Sequence, residues 1–348
     1  MTGWDPPSIL AFRGCDSFSG VAPSHSFQGE SQVRRVLVTG AAGQIGTALV
    51  PALREVYGAD AVVATDLRSP TRPGAGAFEA LDCTDTGALA DVLRRHRPQL
   101  VFHLAALLSA VGEHHPQKAY AVNLGGLFNL LEAAREQGFA LFTPSSIAAF
   151  GPSTPRDGTP QDTLQRPTTM YGVTKVAGEL LCDYYHTRFG VDTRGVRYPG
   201  IISATPPGGG TTDYAVDIFF QAVEQGAYTS FLGPDTQLDM MYMPDAVRAA
   251  IELMEADPSR LVHRNAFNIT AMQLTPRRLA EAIARHVPDF RIDYDPDPVR
   301  QAIADSGPHR LDDGAAREEW DWEPRWDLER MTVDMLSRIR ARAAAGTP

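Results

Sequence analysis

Apolar residues fall in short runs separated by longer amphipathic stretches over most of the chain. Residues 33–39 read as a buried strand and 61–65 as a second one ending at Asp66, with further strand-like runs at 100–104 and 140–143. Helical periodicity fills about 44–57, 86–96 and 116–137, then returns over about 169–188 before a strand at 192–197. This alternation at crossover spacing predicts an α/β fold with a doubly wound parallel sheet. After Pro199 the texture changes. Residues 206–210 read as a loop, and Thr212 is the expected N-cap of a helix over 213–225. Helices near 245–255, 276–286, 312–320 and 328–343 follow at irregular spacing. A smaller mixed α/β substrate lobe, mainly 204–340, is thus expected over the carboxyl edge of the sheet, where such folds bind ligands. The dinucleotide-binding domain would span 33–203, with segments near 240–270 returning to it.

Composition narrows the class. The 348 residues are 43% hydrophobic and 21% charged, which suits a globule with a sizeable core. A net charge of −10 and the lack of any Lys/Arg-rich run argue against a nucleic-acid partner. Cys15, Cys83 and Cys182 are odd in number and far apart, so neither a disulfide framework nor a zinc cluster is expected, and a reducing compartment, by default the cytoplasm, is. His114 and His115 have no cysteine nearby to complete a metal set. No apolar run approaches the length of a membrane span. Residues 1–32 match neither a secretory nor a mitochondrial leader and are expected to form a mobile arm.

Candidate chemistry begins with a scarcity. Lys118 and Lys175 are the chain's two lysines among 32 basic residues, and Lys175 lies four positions after Tyr171. Ten tyrosines and two lysines in 348 positions give about 0.06 chance pairs at this spacing. The i, i+4 spacing places both side chains on one helix face. Lysine is a compact charge able to relay a proton, whereas arginine is not. Upstream, Gly40-Ala41-Ala42-Gly43-Gln44-Ile45-Gly46 follows a strand and opens a helix, the place for a pyrophosphate in a Rossmann-type domain. Asp66 ends the next strand, where a carboxylate accepts from the adenine-side ribose and repels a 2′-phosphate; NAD is therefore expected over NADP, with Arg68 two residues on able to soften the preference. Asp66 also suits a plain turn. His103-Leu104-Ala105-Ala106 end a strand with small residues that leave room for a flat cofactor, and His103 itself reads as packed. Ser145-Ser146, about 25 residues before Tyr171, would orient a substrate oxygen, though paired serines after a strand are also ordinary loop chemistry.

Taken in order, the glycine motif, the serine pair and Tyr-x-x-x-Lys resemble an extended, UDP-galactose-epimerase-like short-chain dehydrogenase/reductase. More narrowly, Pro144-Ser145-Ser146-Ile147-Ala148-Ala149-Phe150-Gly151, Arg197-Tyr198-Pro199-Gly200-Ile201-Ile202-Ser203 and Pro207-Gly208-Gly209-Gly210-Thr211-Thr212-Asp213-Tyr214-Ala215-Val216 resemble the short-chain-type L-threonine 3-dehydrogenases. Met240-Met241-Tyr242-Met243 and Leu311-Asp312-Asp313 extend the match over roughly 33–340. Asp239 stands where the resemblance leads one to expect proline, and the first 32 residues have no counterpart.

The resemblance implies zinc-independent oxidation of L-threonine at its β-hydroxyl to 2-amino-3-oxobutyrate, with hydride passed to NAD. Catalysis would rest on Ser146, on Tyr171 as general base and on Lys175. A free tyrosine has a pKa of about 10, so work near neutrality needs a neighbouring cation. Substrate contacts would come from Ser109, Ser145, Tyr171, Thr211 and Thr212. The cofactor would touch Gly40, Gly43, Gln44, Ile45, Gly46, Asp66, Asp82, Leu104, Ala105, Ala106, Asn123, Tyr171, Lys175, Tyr198, Gly200 and Ile201. The helices about 116–137 and 169–188 would pair in a homodimer. A nucleotide-sugar epimerase or dehydratase is the nearest rival, but such enzymes carry an asparagine after the sixth strand and a basic residue near 239, and this chain has neither. A non-catalytic NAD sensor would have no need of both Tyr171 and Lys175.

Overall fold

Side chains of the first strand, Val36–Thr39 (β1), are all buried and alternate between two apolar layers. Val36 and Val38 pack with Leu49, Leu53, Phe102 and Phe142; Leu37 packs with Leu89, Val101, Leu127 and Leu141. A strand covered on both faces needs no polar alternation, which is why Val36-Leu37-Val38 carry none. The computed structural model describes residues 34–69, 76–206 and 210–345; the expected arm, Met1–Gln32, lies outside them, as do 207–209 of the glycine loop.

β1 pairs with β2 (Val62–Asp66) on one side and β4 (Leu100–His103) on the other. β3 (Phe78–Ala80), β5 (Ala140–Phe142) and β8 (Thr193–Arg194) complete a six-stranded sheet of order β3-β2-β1-β4-β5-β8, parallel throughout. The chain winds outward from β1 to β3, then returns to start β4 beside β1. That reversal opens a crevice at the carboxyl ends of β1 and β4, the usual ligand position in open α/β sheets. Helices α1 (Gly46–Tyr57), α2 (Thr86–His96), α3 (Ser109–His114), α4 (Pro116–Ala119), α5 (Gly126–Gln137) and α6 (Met170–Phe189) accompany the strands. A π turn, Tyr120–Gly125, joins α4 to α5 and keeps the expected 116–137 segment helical.

Two expectations need correction. The strand expected at 192–197 breaks at Gly195, where an added Cβ would come within 2.3 Å of Thr143 O. Its first half, β8, pairs with β5; its second, β9 (Val196–Tyr198), pairs with β6 (Ser145–Ser146) and with Phe267–Asn268, while β7 (Asp157–Thr159) pairs apart with Arg310–Leu311. Thr212 does not cap the next helix. Thr211–Asp213 form a 3-10 turn, the Gly210 N–H donates to Asp213 Oδ2 at 2.6 Å, and the α-helix runs Tyr214–Glu224.

A separate apolar cluster gathers Tyr214, Phe219, Met240, Tyr242, Leu279, Met335 and Ile339 from the second half of the chain. Its central strand, Leu238–Tyr242, is buried at every position and pairs in parallel with Gly200–Ile202. Asp239 lies within that strand at 1% exposure. Its carboxylate accepts from Thr270 Oγ1 at 2.7 Å and from the Leu311 N–H at 2.8 Å, tying three segments together. Burial pushes this carboxyl up to about 7; the two donors and Arg310 oppose the shift, and Asp313 adds to it. The native state therefore holds a proton that the unfolded chain, titrating near 4, has already released, and stability falls as pH rises through that window. Asp239→Asn keeps a partner for each contact without the charge. It is expected to add at most about 4 kcal/mol of stability at pH 8, seen as a higher melting temperature, with the gain vanishing near pH 4. Equal melting temperatures for both proteins at pH 8 would contradict this.

Candidate functional site

Gly40 adopts φ +69, and a Cβ there would lie 2.5 Å from Ala105 N; a Cβ on Gly46 would lie 2.5 Å from Gly40 O. Those two glycines are demanded by the packing of the turn itself. Gly43 is different, since its added Cβ would meet only Gly40 O, at 3.2 Å, which leaves room for a pyrophosphate. Helix α1 starts at Gly46 with no side-chain cap, so its first N–H groups suit an anion. Asp66 Oδ2 accepts from Ala42 N and Oδ1 from Arg68 N, each at 3.0 Å, pinning the turn. A carboxylate has about four acceptor sites, so two remain for ribose hydroxyls. The residues present therefore fit a dinucleotide.

On the other side of the crevice, α6 begins with Thr169 Oγ1 accepting from Gly172 N at 3.1 Å. Gly172 has no room for a side chain: a Cβ would sit 2.3 Å from Ala148 O and 2.5 Å from Pro167 Cβ. This close approach sets the first turn of α6 against the 3-10 turn Ile147–Ala149, which directly follows Ser146. Tyr171 and Lys175 share one face, with Lys175 Nζ 5.4 Å from the Tyr171 ring centroid. The ammonium donates to Pro144 O at 2.6 Å, and Ser146 Oγ accepts from Ala148 N at 3.1 Å. His103 is buried with Nδ1 2.7 Å from Thr39 Oγ1. Burial first, and the Lys175 charge second, push this imidazole down to about 3, so it stays neutral at physiological pH.

The remaining expected contacts divide. Leu104, Ala105 and Ala106 follow β4 beside Gly40, and Gln44 Nε2 donates to Ser203 Oγ at 3.3 Å. Asn123 accepts from Leu107 N at 2.7 Å and donates to Leu107 O and Thr174 Oγ1, so its amide ties the β4 loop to α6. Asp82 accepts from the backbone and hydroxyl of Thr84. Tyr198 is buried and its hydroxyl donates to Ala246 O at 2.6 Å, so its side chain is committed to the core. Ile201 packs against the sheet core, and Gly200 packs so closely on Thr212 that an added Cβ would lie 2.8 Å from Thr212 Cγ2. The strand carrying the last cofactor positions and the turn carrying the threonines are thereby neighbours. Ser109 begins α3, half-buried; Thr211 lies in the 3-10 turn with Thr212.

Ser145 brings a surprise. Its hydroxyl donates to Glu179, leaving only lone pairs to offer a substrate. Glu179 is itself paired with Arg197 through Nε at 3.0 Å and Nη2 at 2.8 Å, both residues being buried. This pair is not among the expected site residues, although Tyr171, Lys175 and Glu179 continue a four-residue spacing along one face. Among the described residues no group of His, Cys, Asp and Glu is placed to hold a metal, and no helix is long and apolar enough to cross a membrane.

Comparison with known proteins agrees with this geometry. An uncharacterized epimerase/dehydratase of Staphylococcus saprophyticus is 54% identical over 317 residues, 90% of this chain and 99% of that one. The crystal structure of an L-threonine dehydrogenase from Clostridium difficile is similar at 52% identity and a TM-score of 0.87, covering 89% and 98% of the two chains. The holo form of a GalE-like L-threonine dehydrogenase from Cupriavidus necator follows at 51% identity and 0.85, covering 88% and 99%. Residues 36–270, which hold the glycine turn, the serine pair and Tyr171-x-x-x-Lys175, match the NAD dependent epimerase/dehydratase family, and the chain belongs to it.

Proposed function

We propose that this chain is a zinc-independent, NAD-dependent L-threonine 3-dehydrogenase that oxidises the β-hydroxyl to give 2-amino-3-oxobutyrate. The Lys175 ammonium 5.4 Å from the Tyr171 ring, at the switch-point crevice of a dinucleotide-type sheet, carries the reaction class. The likeness to two L-threonine dehydrogenases at about half identity over nearly their full length supports the substrate.

Gly40, Gly43, Gly46 and Asp66 would hold NAD, which supplies the hydride acceptor when bound. Tyr171, as the phenolate, takes the hydroxyl proton and becomes the neutral phenol, and the Lys175 ammonium stabilises the phenolate's negative charge before that transfer. Lys175 is itself held by Pro144 O, so its charge is fixed before substrate arrives. Ser146 holds the reacting oxygen. Thr211, Thr212 and Ser109, with the N-terminus of helix Tyr214–Glu224, offer hydroxyls and N–H dipoles to the zwitterion. His103, neutral and bonded to Thr39, is assigned no proton-transfer role in this reading.

Exposed apolar side chains on α5 and α6 support the expected homodimer. Phe128, Leu180, Tyr184 and Phe189 are exposed, and Tyr185 links the three aromatic ones, with ring contacts to Phe128 at 6.1 Å, to Tyr184 at 5.8 Å and to Phe189 at 5.3 Å. An apolar patch of this kind suits a homodimer in which both helices pair with their copies.

Incubation of the purified chain with NAD and L-threonine is expected to generate NADH absorbance, while UDP-galactose is not expected to be epimerised; the reverse pattern would establish the sugar-nucleotide reading. Tyr171→Phe should still bind NADH yet lose turnover by about 10²- to 10⁴-fold, and substantial residual activity at neutral pH would remove the general base. Lys175→Arg keeps the charge but not the compact geometry or a transferable proton, so a similar collapse is expected; a near-normal rate would reduce Lys175 to a charge alone. Light scattering should give twice the 37.8 kDa chain mass, and Leu180→Glu should halve it. A wild-type chain that runs at its monomer mass would refute the dimer.

A further inference from the structure

Three successive turns of α6 present Tyr171, Lys175 and Glu179, and two of these already grip the segment before Ser146. Lys175 donates to Pro144 O at 2.6 Å, and the Glu179 carboxylate takes the hydroxyl of Ser145. Glu179 is 5% exposed and its partner Arg197 6%. Both carboxylate oxygens are fully engaged: Oε1 accepts from Ser145 and Arg197 Nε, and Oε2 from Arg197 Nη2 and from Gln165 Nε2 at 2.7 Å. Arg197 Nη1 reaches on to Gln161 O at 2.7 Å and Asn268 Oδ1 at 3.1 Å. Ser145, Arg197 and Asn268 are register partners across three adjacent parallel strands, so the bonds run along one level of that small sheet. Asn265 adds a bond from the next segment to Glu179 O at 3.1 Å.

We infer that the Glu179–Arg197 pair, through Ser145, is the positioning element that fixes the Ser146 hydroxyl against Tyr171 for the proposed reaction, on which this inference rests. A planar guanidinium fork locked on a carboxylate defines direction as well as distance. Ser146 sits one residue beyond the grip and is shared between β6 and the turn that Gly172 packs upon. Neither Glu179 nor Arg197 touches the reacting atoms in this arrangement; they set where those atoms meet.

The test is steady-state kinetics on Ser145→Ala and Glu179→Gln, with NADH affinity by fluorescence and thermal melting measured alongside. Ser145→Ala cuts the link while the ion pair stays. It is expected to lower kcat about tenfold, and Glu179→Gln about a hundredfold, as misplacement of reacting groups does, with threonine KM and NADH affinity within about twofold of wild type. A folded Ser145→Ala with wild-type kcat overturns the proposal. So does a raised KM at unchanged kcat, which would make Ser145 a substrate contact only. If Glu179→Gln fails to fold, Ser145→Ala decides alone. A wild-type chain that forms no NADH from threonine overturns the functional reading instead, whereas an active wild type with indifferent variants overturns only the positioning role.

Discussion

The contact between the first turn of α6 and the 147–149 turn is the constraint from which the rest of the site follows. It exists because residue 172 has no side chain; any Cβ would drive the helix more than an ångström away from Ala148 O. With the helix seated there, Lys175 can reach Pro144 O and Glu179 can reach Ser145, so helix and strand end are joined at two further levels. The glycine turn on the opposite wall is built by the same means, with Gly40 against Ala105. Both walls of the crevice are thus set by close backbone approaches that only glycine permits.

What was readable in the sequence tracks how much of each element's signal is local. The buried strands at 36–39 and 100–103 and the helices at 86–96 and 170–189 announce themselves by apolar runs and helical periodicity, and the structure adds the caps, Asp85, Thr169 and Gly190. Phe78–Ala80 was missed because a three-residue edge strand with half-exposed side chains has no period to detect. The break at Gly195 was missed for another reason: it is imposed by Thr143 and Phe267, both remote in sequence. Strands of two to five residues after position 200 are held by partners such as Met240 for Gly200, which no local window contains.

The site was legible where chemistry demands a rare residue at a fixed spacing. Lysine in an arginine-using chain, four positions after a tyrosine, is such a case, and the glycine motif is another. Residues that act by holding others were either assigned a different contact or overlooked. Asn123, expected at the cofactor, also joins Leu107 to Thr174 through its amide, a link with no local signal. Glu179 and Arg197 carry ordinary names in ordinary places, and their meaning appears only when α6 lies across β6 and β9. The continued spacing from Tyr171 through Lys175 to Glu179 was the one available signal.

Two buried carboxylates in this chain meet the same desolvation problem by opposite means. Glu179 is given a guanidinium fork and two further donors, so every lone-pair direction is filled. Asp239 receives two neutral donors and a distant arginine, which is insufficient, and its proton affinity rises. The cost of a buried ion pair is accepted beside Ser146, where direction matters. A carboxyl that can go neutral suffices at Asp239, where three segments need only be held together. The difference lies in what each position has to fix: an angle at one, a contact at the other.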